Sequence, residues 1–142
     1  MEELVAATAD TPVFRITDAW GRRDLTGLLE ATEAMLERSG RPVSATVPIV
    51  AGALARQVAT VRRAKRAEDR GARPKEVMKE LGVRLEFQAE RAFQFGRNYS
   101  ERELDDALVR LAGLDHAIKG GSRLAPELEM QRVLVDLTKP AG

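Results

Sequence analysis

The stretch SATVPIVAGALARQVATVRRAKRAEDR, residues 44–70, decides the fold. Val47, Val50, Leu54, Val58 and Val61 recur at three- and four-residue spacing, the period of one face of an α-helix. Ser44 can cap this helix, Pro48 is tolerated only in its first turn, and Gly71 marks its end. At 1.5 Å per residue the helix would be about 40 Å long and span a whole domain. Ala51, Gly52, Ala55 and Ala59 give it a smooth flank where another helix could approach closely.

The same period governs the chain on both sides. Upstream, Thr11-Pro12 reads as a cap followed by proline at the first helical position, with Gly21 closing a short helix. Asp24 caps a second helix whose buried face is Leu25, Leu28, Leu29, Thr32, Met35 and Leu36, and Gly40 stops it. Downstream, Pro74 starts a short helix, Lys75 to Leu81, that Gly82 ends. Another follows from about Arg84 to Phe95, with Leu85, Ala89 and Ala92 inward. Ser100 and Glu103 form a capping box, so a helix starts at Glu101. Its stripe is Leu104, Ala107, Leu108, Leu111, Leu114 and Ile118, and it ends at Gly120-Gly121. Pro126 begins the last helix, with Met130, Val133, Leu134 and Leu137 inward. The expectation is an all-α bundle of six or seven helices without a β-sheet, forming one domain over residues 1–142. Phe93, Phe95 and Tyr99 cluster before the last capped helix, and the pattern does not assign them to core or surface.

Composition narrows the function. The 142 residues include no cysteine and one histidine, His116, which removes disulfides, Cys/His zinc sites and thiol nucleophiles. No phosphate-binding loop is present, because Lys119-Gly120-Gly121-Ser122 closes a helix where such a loop must open one. Asp105-Asp106 are neighbours on a helix and diverge by about 100°, so they do not share a proton or a metal. No catalytic residue, metal, cofactor or small-molecule substrate is expected. The longest uncharged run, Pro42 to Ala55, falls short of the roughly 20 apolar residues of a membrane helix. The acidic Met1-Glu2-Glu3 is unlike a signal peptide. A soluble, cytoplasmic protein is therefore expected.

Charge is uneven. The net charge of +1 divides into −3 over residues 1–55, +6 over 56–99 and −2 over 100–142. Arg56, Arg62, Arg63, Arg66 and Arg70 run along one side of the long helix and are candidates for phosphate contact. A second nucleic-acid cue is the helix–turn–helix look of Lys75 to Phe95, although Leu85-Glu86-Phe87 is a poor start for a base-reading helix. Asp115 lies along the inward line of the capped helix and needs a partner, either Lys119 four residues on or a group on a neighbouring subunit.

From Phe14 onward the chain resembles the C-terminal helical domain of the delta subunit of the bacterial DNA polymerase III clamp loader. The similar blocks are Val13-Phe14-Arg15-Ile16-Thr17-Asp18-Ala19, Leu54-Ala55-Arg56-Gln57 and Lys79-Glu80-Leu81-Gly82-Val83. The last is Leu114-Asp115-His116-Ala117-Ile118-Lys119-Gly120, followed by Pro126-Glu127-Leu128. The resemblance implies a non-catalytic collar module that holds clamp-loader subunits in a ring above the primer–template, in DNA replication. It implies the other clamp-loader subunits as partners, Asp115 and Lys119 near an interface between subunits, and weak DNA contact without sequence preference. In that family the ATPase-like and clamp-opening elements lie N-terminal to this domain, and residues 1–10 would be a tail or remnant of the preceding module. The alternative is a small helix–turn–helix DNA-binding protein.

Overall fold

The computed structural model describes residues 11–121 and 123–140, so the expected tail at residues 1–10 lies outside the described residues. The described helices are α1 (Pro12–Gly21), α2 (Leu25–Arg38), α3 (Val43–Asp69), α4 (Met78–Leu81), α5 (Glu86–Gly96), α6 (Glu101–His116) and α7 (Pro126–Thr138). A 3-10 turn, Pro74–Val77, leads into α4, and a π turn, Ala117–Gly121, follows α6. There is no strand among the described residues, and the molecule is an all-α bundle.

The long helix is the axis of that bundle. α5 and α6 pack along it, α1 and α7 close its sides, and α2 pairs mainly with α1. Val47, Val50, Leu54, Val58 and Val61 are each at most 1% exposed, so the expected stripe is the centre of the core. One window of α3 has the length and mean hydropathy, 1.2, of a membrane-crossing segment. Here its apolar face is turned onto neighbouring helices. The small-residue flank behaves differently from the expectation: Gly52, Ala55 and Ala59 stay partly exposed, and only Ala51 joins the core.

Local signals set most boundaries. The Phe14 N–H donates to Thr11 Oγ1 at 3.2 Å, and the Gly27 N–H donates to Asp24 Oδ1 at 3.0 Å. In the capping box, the Glu103 N–H donates to Ser100 Oγ at 3.1 Å and the Ser100 N–H to Glu103 Oε1 at 2.8 Å. Three expectations need correction. α3 begins at Val43, so Ser44 is inside the helix; the extended Pro42 offers its carbonyl to the Ala45 and Thr46 N–H groups instead. Pro48 therefore sits in the second turn. Leu85 is the residue before α5, in extended conformation and 37% exposed, so it does not face inward. α6 loses α geometry at His116, because Lys119 and Gly120 (φ 108°) leave the helical region.

Phe93, Phe95 and Tyr99 belong to the core, each 4% exposed or less. Tyr99 stacks on Trp20 with ring centroids 4.7 Å apart and planes 11° apart, and its hydroxyl donates to the Trp20 carbonyl. Arg23 anchors the same corner. Its guanidinium pairs with Glu103, lies 4.5 Å from the Tyr99 ring centre, and donates to the carbonyls of Asn98, Thr138 (3.0 Å) and Lys139 (3.1 Å).

Candidate interaction surface

The basic side of α3 is less free than its sequence implies. Arg62 Nε lies 2.6 Å from Asp105, and Arg66 Nη2 lies 2.6 Å from Glu101, both acids on the first turns of α6. Arg70 pairs with Glu80 on α4. The sites are arranged this way because α6 packs along α3 and opens with acidic residues, which also suit the positive N-terminal end of its dipole. Arg56 and Arg63 are exposed and make no ion pair among the described residues. The five arginines thus divide into three cross-links and two available cations.

Asp115 is not a core carboxylate. The buried line of α6 runs through Leu104, Ala107, Leu111 and Leu114, and Asp115 stands one residue further round, 48% exposed at its side chain. Its Oδ2 accepts Lys119 Nζ at 3.0 Å, so in the chain alone the pair closes locally, from the last turn of α6 to the π turn that follows it. His116 is exposed beside it, and no three metal-ligating side chains converge among the described residues.

The helix–turn–helix cue does not yield a reading head. α4 is a single turn, and α5 buries Ala89, Ala92, Phe93 and Phe95 while presenting Glu86, Phe87 and Glu90 outward. Acidic side chains there would repel phosphate.

Exposed large apolar side chains occur on several elements, Ile49 on α3 (40%) and Phe87 on α5 (39%) among them. Among the described residues Val109 on α6 is 70% exposed, and Leu124, Leu128 and Val135 on or before α7 are 43%, 50% and 39% exposed. Sequence periodicity could not find these. Single apolar residues outside a stripe look incidental in the sequence. Between α2 and α7 there is also a groove of about 510 Å³, with Leu29, Leu36, Val43, Leu134 and Val135 among its walls.

The sequence matches the profile of a family described as DNA polymerase III delta subunit, C-terminal domain, over residues 10–137. No curated protein matches it. Among solved structures, the Bacillus subtilis DNA clamp loader delta protein (YqeN) superposes with a TM-score of 0.73 at 21% identity. That superposition covers 91% of this chain and 36% of the other, so the two share a fold over about a third of the longer protein.

Proposed function

We propose, from the premise that this chain belongs to the family formed by the C-terminal domains of DNA polymerase III delta subunits, that it is a collar-type assembly module of a bacterial clamp loader. It would act in DNA replication, in the cytoplasm, without chemistry of its own. The observation that carries this reading is the continuous match over residues 10–137, which takes in every helix of the bundle up to the last turn of α7. The exposed Leu124, Leu128 and Val135, on or just before α7, support it, since an assembly module must leave apolar surface for its neighbours. The exposed Asp115–Lys119 pair would form part of the interface between subunits. The partners are the other clamp-loader subunits.

Helix packing requires no nucleotide. The chain is therefore expected to co-purify with the cognate ATPase subunits in the absence of ATP, and failure to do so overturns the reading. Contact with primer–template DNA is proposed as weak and independent of sequence, with Arg56 and Arg63 as the available cations and Arg62, Arg66 and Arg70 contributing only if they leave their carboxylates. Tight binding to one duplex sequence would instead favour a regulator, a reading to which the one-turn α4 and the acidic outer face of α5 lend no support.

A further inference from the structure

The groove between α2 and α7 combines an apolar floor with an acidic rim. Its floor is apolar, with Leu29 and Leu36 on α2, Val43 at the start of α3, and Met130, Leu134 and Val135 on α7. Its rim is acidic: Glu33 and Glu37 stand on one side and Glu127 on the other, all exposed, and no lysine or arginine lines it. Elsewhere the carboxylates of the bundle are largely engaged, with Asp18, Glu68, Glu80, Glu101 and Asp105 each paired to an arginine. Glu33, Glu37 and Glu127 have no hydrogen-bond or ion-pair partner among the described residues.

We propose that this groove receives a basic amphipathic helix from a partner clamp-loader subunit, an inference that rests on the assembly reading above. Leu29 and Leu36 are two turns apart, about 10 Å, which matches the i, i+7 spacing of anchors on a helix laid in a groove. Val135, in the groove, and Leu128, exposed outside its lining, repeat that spacing along α7. Lysine or arginine side chains flanking the partner's apolar stripe would meet Glu33, Glu37 and Glu127. Charge selects the occupant. Nucleic acid carries the wrong sign for this rim, and so do residues 1–10 of this chain, which hold Glu2, Glu3 and Asp10 and no basic side chain.

The test uses the full chain and the cognate clamp-loader subunits. The triple variant Glu33→Lys, Glu37→Lys, Glu127→Lys and the single variant Val135→Asp are compared with wild type. Circular dichroism verifies that helicity is retained, as exposed positions should allow. Affinity for the partner subunits is expected to fall at least tenfold in both variants, and the salt dependence of binding to shrink in the triple variant. Affinities within twofold of wild type overturn the groove and leave the assembly reading intact. A dimer of the chain alone that both variants dissolve assigns the groove to a second copy and also overturns the proposal. If the wild-type chain captures none of the subunits, the assembly reading fails instead. A synthetic 14-residue leucine–lysine helix, titrated against backbone amide shifts, then judges the groove. Shifts confined to α2 and α7, absent in the triple variant and with a leucine–glutamate helix, uphold it, and their absence overturns it.

Discussion

Gly21 ends α1 against the ring of Phe95, and a Cβ there would stand 2.1 Å from Phe95 Cδ2. Phe95 is 4% exposed and has no room to swing away. Gly21→Ala is expected to cost about 1–3 kcal/mol, the usual penalty of overpacking, read from the urea midpoint. Gly113, inside α6, is the opposite case, because an added Cβ meets nothing within 4 Å. Gly113→Ala should gain about 0.5–1 kcal/mol by the same measurement. Tyr99 carries a pH dependence. Burial pushes its phenol above the ordinary value, against the opposing pull of the Arg23 cation. The folded state keeps a proton that the unfolded chain loses, so this contribution to stability is whole below about pH 10 and declines as pH rises beyond it. Tyr99→Phe should cost about 1 kcal/mol at neutral pH through the lost bond to the Trp20 carbonyl. It should also flatten the alkaline decline, which urea midpoints at about pH 8 and 11, either side of the free phenol's ordinary value, would reveal.

At the scale of elements, α3 holds a defect. Pro48 is its sixth residue, and its ring removes the N–H that would bond the Ser44 carbonyl. The helix persists because Val47 and Val50 on either side are fully buried. Pro48→Ala is expected to stabilise the protein by about 1–3 kcal/mol, less what the proline saves in the unfolded chain; thermal unfolding would measure it. The α6 start was legible because a capping box is local chemistry, written within four residues. The α6 end was not, because Gly120 permits termination without saying where α geometry yields to the π turn. Leu85 misled for a related reason. Its apolarity fits the stripe of Ala89 and Ala92, but its extended backbone puts it outside the helix.

At the scale of the molecule, Arg23 joins segments that no helix connects. It takes a left-handed backbone (φ 59°) in the α1–α2 turn and binds the α5–α6 loop and the end of α7 at once. Its side chain and that of Glu103 are only 20% and 14% exposed. Arg23→Ala should cost about 2–4 kcal/mol, since Glu103 loses its cation and three carbonyls lose a donor. Arg23→Lys should restore little, because an ammonium lacks the planar fork; denaturant curves of the two variants test both statements. The basic side of α3 divides in the same spirit. Arg56→Glu with Arg63→Glu should remove any salt-sensitive duplex binding and leave stability unchanged. Arg62→Glu with Arg66→Glu should instead lower stability, by about 1 kcal/mol or less for each half-exposed pair broken. Duplex titrations at two salt concentrations, beside melting curves, separate the outcomes.

The order of residues was enough to establish the all-α class, the long axial helix with its buried valine stripe, and the capped starts at Thr11, Asp24 and Ser100. These depend on helical periodicity and on hydrogen bonds between residues three or four apart, which any reader of the chain can count. The blocks ending in Asp115 to Gly120 also pointed to the family that the match over residues 10–137 establishes. Which charges remain available was settled by packing alone. Arg62 and Arg66 look identical to Arg63 along the chain, and they differ because α6 brings Asp105 and Glu101 across from more than 30 residues away. The burial of Tyr99 and the apolar groove with its unpaired glutamates have the same origin. Each depends on which faces of distant helices meet, and a pattern with a period of 3.6 residues fixes the faces but not their partners.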